Sequence, residues 1–138
     1  MSSIPTILVR HVVERAQDRC EYCGLSQVGQ EATFHIDHVL PRVADGPTTL
    51  ENLALACVSC SLRKGARQFA IDPETNAEVG IFNPRTQSWQ DHFQWDEILV
   101  EGLTPTGRAT VVALEMNRAS ILTIREEEID RGRHPPPG

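Results

Sequence analysis

Four cysteines in two closely spaced pairs constrain this chain more than any other feature of its sequence. Cys20 and Cys23 form the first Cys-x-x-Cys pair and Cys57 and Cys60 the second, with 33 residues between the pairs. A Cys-x-x-Cys turn points two thiolates at one metal ion, and two such turns complete a closed tetrahedral zinc site. The alternative is two independent redox motifs or buried thiols. The spacing favours one structural zinc site with a substructure inserted between its halves.

Size and composition indicate one folded domain. A chain of 138 residues with 40% hydrophobic and 23% charged residues is ordinary for a globular protein. No secretory signal or membrane-spanning run is visible, so we expect a reducing cytoplasm, where paired cysteines bind metal more often than they form disulfides. The net charge of −6 argues against non-specific coating of nucleic acid but permits a local basic face.

Hydrophobic periodicity and turn residues predict a mixture of helices and short strands. Apolar residues recur at helical spacing from Leu8 to Ala16, which predicts an N-terminal helix. Ser61 is expected to be the N-cap of a helix that runs to Gln68. The other expected elements are strands over 33–40, 77–82 and 89–95, a short structured segment over 50–56, and helices over 104–116 and 121–129.

The insert between the cysteine pairs carries residue types that perform hydrolysis. His35, Asp37 and His38 stand in a His-Ile-Asp-His run. A carboxylate beside an imidazole permits a division of labour in which Asp37 binds a hard divalent ion and His38 remains free as a base. In phosphodiester hydrolysis the ion stabilises charge on the phosphate, and the imidazole deprotonates water. An isolated run of this kind would more often be one buried histidine beside another that closes a strand.

The run is not isolated, and together these residues resemble the HNH endonuclease family. The family pattern is a Cys-x-x-Cys knuckle, Asp-His-x-x-Pro, a glycine loop, Asn-Leu, a second Cys-x-x-Cys, an Asn or His, and a Lys three residues further on. Besides the four cysteines, the matching positions here are Asp37, His38, Pro41, Gly46, Asn52, Leu53, Ser61 and Lys64. The downstream stretches 81–95 and 102–117 also look like the tail of a bacterial subgroup of this family.

The resemblance implies an α+β fold, with a ββα-metal core flanked by an N-terminal helix and a C-terminal extension of strands and helices. It implies that His38 is the general base, that Asp37 ligates Mg²⁺ or another divalent ion, and that Asn52 ties the hairpin loop and orients the base. His35 lies on the same strand face as Asp37 and is expected to orient water or phosphate. Ser61 replaces the family's Asn or His, so a shorter, weaker hydroxyl ligand stands there, with a water as a bridge to the ion.

The leading hypothesis is a metal-dependent endonuclease that cuts DNA, with RNA also open as a substrate. We expect phosphate contacts from Arg42, Arg63, Lys64 and Arg67. The alternative is a catalytically inactive, zinc-stabilised nucleic-acid-binding module that has lost catalysis at Ser61. A plain zinc-stabilised interaction protein is disfavoured because it has no need of Asp37, His38 and Asn52 together. Cleavage of both strands by so small a protein favours a homodimer or a partner subunit.

One nuclease domain is expected over residues 1–130, with its signature core at 20–67 and its extension at 68–130. Residues 131–138 are expected to be a flexible tail because three prolines cannot extend a helix. Among the remaining histidines, His92 is expected to pack between Trp89 and Trp95, and His11 and His134 are expected to lie on the surface.

Overall fold

The computed structural model describes residues 4–138, and its centre is a β-hairpin followed by a short helix. The first three residues of the expected domain lie outside the described part. Helix α1 (Thr6–Arg15) precedes the hairpin. Strand β1 (His35–His38) pairs antiparallel with β2 (Leu53–Ala56), and α2 (Val58–Lys64) follows directly. Because α2 packs against both strands, the three elements form the predicted ββα core, which is therefore confirmed.

Strand β2 lies at the middle of this core. Its sequence is Leu-Ala-Leu-Ala, and all four residues are buried, because α1 and α2 both pack on the strand. Such an uninterrupted apolar run is typical of a strand covered on both faces. The side chain of Arg15 donates hydrogen bonds to the carbonyls of Leu50 and Leu53, at 2.9 and 2.6 Å, and so ties α1 to the start of β2.

The C-terminal extension adds two further hairpins and three helices. Each hairpin is a separate two-stranded antiparallel sheet, and α4 packs against both. Thr104 caps α4 by accepting a hydrogen bond from the Gly107 amide at 3.0 Å. In chain order the elements are β3 (Phe69–Ile71), β4 (Glu78–Gly80), α3 (Trp89–His92), β5 (Phe93–Asp96), β6 (Leu99–Gly102), α4 (Pro105–Ala113) and α5 (Ala119–Asp130).

The extension shares its main hydrophobic core with the ββα unit. Phe82 lies edge-on to Tyr22 and to Phe93, with ring centroids 6.5 and 5.2 Å apart. Ile121 of α5 is fully buried in the same cluster as Leu53 of β2. The extension therefore covers apolar surface that the segment 20–67 would otherwise expose to water.

Several predicted element boundaries are wrong, and the start of α2 shows the reason best. Ser61 is not an N-cap: α2 begins at Val58, and Cys57 caps it, its Sγ accepting a hydrogen bond from the Cys60 amide at 3.4 Å. A knuckle sulfur thus replaces the expected hydroxyl, and Ser61 lies within the helix. Residues 89–92 are helical rather than extended, and strands β3 and β6 were not predicted.

The aromatic residues of the extension also pack differently from the prediction. Trp89 and Trp95 stack directly, with centroids 5.3 Å apart, whereas His92 lies against Phe82 and hydrogen-bonds Thr104. His134 lies edge-on to Trp95, with ring centroids 4.6 Å apart, so it is not a free surface residue. None of the helices described between residues 4 and 138 is long and apolar enough to cross a membrane.

The loop between β1 and β2 is closed by a glycine. The Gly46 amide donates to the Pro41 carbonyl at 3.0 Å. A Cβ atom at Gly46 would overlap the carbonyl oxygen of Leu40, which is a backbone atom and cannot rotate away. Only a residue without a side chain allows this close approach.

Gly46→Ala should therefore lower the free energy of unfolding by about 2 kcal/mol or more, because the loop must open to admit the methyl group. Gly80→Ala is the matched control, since its Cβ would meet no atom within 4 Å. That change should alter stability by less than about 1 kcal/mol. Chemical denaturation of both variants measures the difference, and equal losses would contradict the steric role of Gly46.

Candidate active site and metal cluster

The four cysteines come together between the loop after α1 and the start of α2. Their sulfur atoms all lie within 4.8 Å of one another, and all four side chains are buried. The Cys23 and Cys57 sulfurs are 3.7 Å apart. Four Zn–S bonds of about 2.3 Å would place tetrahedral ligands about 3.8 Å apart, whereas a disulfide needs about 2.05 Å. The cluster therefore fits zinc and not a pair of disulfides.

Neighbouring donors prepare the cluster for a metal. The Cys23 amide donates to Cys20 Sγ and the Cys60 amide donates to Cys57 Sγ, both at 3.4 Å. Hydrogen bonds from the thiols of Cys20, Cys23 and Cys60 hold the pKa of Cys57 well below its usual range. The thiolate is the form that ligates metal, so hydrogen bonds that favour an ionised sulfur in this cluster also favour metal binding.

Asp37 lies in a buried polar network that joins the first cysteine pair to α2. Tyr22, inside that pair, donates its hydroxyl proton to Asp37 Oδ2 at 2.7 Å. Lys64 Nζ lies 3.1 Å from the same oxygen and donates to the His38 carbonyl at 3.1 Å. Tyr22 is 0% exposed, Lys64 2% and Asp37 8%. One carboxylate therefore connects the zinc knuckle, strand β1 and helix α2.

The four basic residues expected to contact phosphates do not form one surface patch. Lys64 is buried against Asp37, and moving its ammonium group to the surface would leave a buried carboxylate unpaired, at a cost of several kcal/mol. The structure therefore places Lys64 in the interior, and its contact with phosphate stays a prediction. Arg63 contacts Glu115 at 2.8 Å, which balances its charge, whereas Arg42 and Arg67 are exposed.

His38 ends β1 and faces the hairpin loop. Its Nε2 lies 2.9 Å from Thr48 Oγ1, and Arg42 donates its Nε proton to the same nitrogen at 3.2 Å. Arginine can only donate, so Nε2 carries the lone pair and the proton of the neutral ring is on Nδ1. Burial, followed by the charge of Arg42, lowers the pKa of His38. The ring is therefore uncharged at neutral pH, as a base must be.

His35 and Ser61 meet across the interface between β1 and α2. His35 Nδ1 lies 2.8 Å from Ser61 Oγ. Ser61 and Lys64 are three residues apart on one face of α2, and they contact His35 and Asp37, two residues apart on one face of β1. His38, the last residue of β1, also lines the open cavity of about 570 Å³ beside His35 and Ser61. The polar residues lining this cavity are His35, Asp37, His38, Arg42 and Ser61.

Asn52 fastens the loop that carries the partners of His38. Its Oδ1 accepts a hydrogen bond from the Leu40 amide at 2.9 Å. Its Nδ2 donates to the carbonyls of Leu40 and Pro47, at 3.0 and 2.9 Å. The side chain thus spans the loop between β1 and β2 and positions Arg42 and Thr48 beside the imidazole.

Two residues of this site were missed by the sequence analysis. Tyr22 was not predicted, although a buried tyrosine hydroxyl needs a hydrogen-bond partner and a buried carboxylate is a natural one. A tyrosine inside a cysteine knuckle, near an aspartate in the insert, is the signal that could have identified it. Thr48 lies in a Pro-Thr-Thr loop, and no sequence pattern distinguishes it from Thr49.

The folded protein should hold one zinc ion per chain. Cys57→Ala removes a thiolate and the N-cap of α2 together, so the variant should lose zinc and unfold where the wild type remains folded. Ser59→Ala changes the same knuckle without removing a ligand, and it should keep both metal and fold. Metal analysis combined with thermal melts measures these outcomes, and a folded, reduced wild type without zinc would exclude the site.

Without added divalent ion, His38 should titrate below the value of about 6.5 that is usual for imidazole. Burial and the Arg42 charge both disfavour the protonated ring. Arg42→Ala should therefore raise the pKa of His38, and Arg42→Lys, which keeps the charge, should raise it less. A ring ¹⁵N NMR titration reports the value directly. A wild-type pKa at or above the usual imidazole value would contradict this environment.

Comparison with known proteins identifies the same segment of the chain. A family model described as HNH endonuclease matches residues 20–67, about a third of the chain. Comparison with curated proteins and with solved structures gave no match. The matched segment contains both cysteine pairs, β1, β2 and α2, which are the elements that build the metal cluster and the cavity. Residues 20–67 of the chain are therefore similar to the HNH endonuclease family.

Proposed function

We propose that this protein is a metal-dependent endonuclease that hydrolyses phosphodiester bonds in DNA. The observation that carries the proposal is the convergence of His35, Asp37, His38 and Ser61 on one open cavity of the ββα core. The family match indicates a nuclease-type function with metal binding. The four-cysteine cluster is closed and buried, so its role in this proposal is to hold the fold.

His38 is the general base in this proposal. Its Nε2 lone pair takes a proton from the attacking water, and the lowered pKa keeps that lone pair free at neutral pH. A water molecule that replaces the Thr48 hydroxyl, now 2.9 Å from Nε2, is within reach for this transfer. Arg42 donates a hydrogen bond to the same ring, and this nearness supports its proposed role as a contact to the phosphate that the water attacks.

Asp37, His35 and Ser61 form the donor set that we propose for a divalent ion. When bound, the ion supplies stabilisation of the charge on the phosphate and the leaving oxygen. A carboxylate offers about four lone-pair sites, so Asp37 can accept hydrogen bonds from Tyr22 and Lys64 and still offer an oxygen to a cation. Carboxylate and hydroxyl oxygens suit Mg²⁺ and Mn²⁺, and the imidazole of His35 adds affinity for a transition ion.

A catalytically inactive nucleic-acid-binding module is the second candidate function. It is favoured by Ser61 at the position of the family's Asn or His, and by Asp37, whose charge Lys64 already balances at 3.1 Å. Within residues 4–138, only the cysteines form a group of three or more His, Cys, Asp or Glu ligands close enough to share an ion. A divalent ion at Asp37 would therefore depend on Ser61, water or the substrate for its remaining ligands.

Nucleic-acid contact in this proposal rests on a small basic surface beside the cavity. Arg42 lines the cavity and is exposed, and we propose that Arg67, also exposed, and Arg63, once it releases Glu115, add to its contacts. A protein with a net charge of −6 holds a polyanion only through such a local surface, so binding should weaken steeply as salt is added. Cutting both strands would require a second active site, from another copy of the chain or from a partner.

A nicking assay on supercoiled plasmid with Mg²⁺ or Mn²⁺ tests the proposed base and donor set. His38→Ala should lower the rate by about 10²–10⁴-fold, the usual share of general base catalysis. His11→Ala, on the exposed face of α1, is the control and should leave the rate unchanged. Ser61→Asn introduces a direct oxygen ligand and should lower the metal concentration needed for activity.

The outcomes separate the two candidate functions. Wild-type nicking that His38→Ala abolishes supports the endonuclease. An inactive wild type that Ser61→Asn revives supports the binding module derived from a nuclease. If neither protein cuts DNA or RNA with any divalent ion while both fold with zinc, the roles proposed for Asp37 and His38 are wrong.

A further inference from the structure

Arg125 of α5 is a buried cation with incomplete partners. It is only 3% exposed, and its Nη1 donates to the Ile98 carbonyl at 2.8 Å and to Asn117 Oδ1 at 3.2 Å. The guanidinium carbon lies 5.1 Å from the ring centroid of Trp95. Its Nη2 is buried and has no hydrogen-bond partner. Among residues 4–138, no carboxylate lies within ion-pair distance of this guanidinium.

The buried guanidinium of Arg125 needs a negative charge nearby to offset the cost of its burial. A buried charge without a partner costs several kcal/mol, so natural folds place a counter-charge beside it. Glu128 lies one turn further along α5, but Arg133 holds its carboxylate, with Nη2 at 2.7 Å. The carboxylate of Glu128 is therefore already balanced by another arginine.

The cysteine cluster is the remaining candidate. Arg125 and Cys23 line the same small cavity between α5 and the loop after the first cysteine pair. Burial and the positive charge of Arg118 lower the pKa of Arg125, whereas negative charge on the sulfurs of Cys23, Cys60 and Cys57 raises it. A Zn²⁺ ion with four thiolate ligands carries a net charge of −2, which is itself costly to bury without a cation.

We propose that Arg125 is the counter-cation of the zinc tetrathiolate. Its charge balances half of the charge on the metal site, and its unpartnered Nη2 offers N–H donors to the thiolates once the ion is bound. Groups that surround the ligands of a metal in this way strengthen its binding and fix ligand orientation. Since α5 lies outside residues 20–67, zinc retention then depends on a helix of the C-terminal extension.

Zinc competition with a chromophoric chelator tests this role on the full-length protein. Arg125→Gln keeps a donor for the Ile98 carbonyl but removes the charge, and it should weaken zinc affinity by about 10–100-fold. Arg125→Lys keeps the charge and should retain most of the affinity. Arg131→Gln removes an exposed arginine just past α5 and is the control that should change nothing.

A spectroscopic readout separates the charge from a general loosening of α5. In the Co²⁺-substituted protein, a cation near the thiolates raises the energy of the sulfur-to-cobalt charge-transfer band. Arg125→Gln should therefore shift the band to longer wavelength, and Arg125→Lys should leave it in place. Wild-type affinity and an unshifted band in Arg125→Gln would overturn the proposal. If Arg125→Gln does not fold, a loss of affinity and a shifted band in Arg125→Lys would overturn it.

Discussion

The thiol cluster joins two parts of the chain that local structure alone would not hold together. The first cysteine pair lies in the loop after α1, and the second caps and begins α2 on the other side of the β-hairpin. The sulfurs lie within 4.8 Å of one another, so the loop and the helix share one anchor. The hairpin between them can then be short, with two strands of four residues each, because its ends are already held.

A series of polar contacts links the cysteine cluster to the residues that line the cavity. Tyr22 is fixed by its place between Cys20 and Cys23, and its hydroxyl holds Asp37 at 2.7 Å. Lys64 holds the same carboxylate from the opposite end of α2. A buried ion pair of this kind contributes little net stability, although removing one partner is strongly destabilising. Its effect here is to fix the position of Asp37 and, through the His38 carbonyl, the end of β1.

The extension is part of the same structure and not an appendage to the matched family segment. Phe82 and Ile121 enter the core beside Tyr22 and Leu53, and Arg125 is buried beside Cys23. The chain thus covers one side of the zinc knuckle with α5 and leaves the cavity at β1 and α2 open. This arrangement separates a buried metal cluster, suited to holding the fold, from an open cavity suited to a substrate.

The sequence by itself determined the residues of the cysteine cluster, because their spacing is local and does not depend on the rest of the chain. The ββα core and the grouping of His35, Asp37, His38 and Asn52 were predicted from the resemblance to a family pattern. Tertiary structure alone decided that Cys57 rather than Ser61 caps α2, and that Lys64 is buried against Asp37. It also decided that Arg125 and Cys23, about a hundred positions apart in the chain, line the same small cavity. Burial and charge pairing of this kind depend on which elements pack together, and no periodicity within one segment encodes that.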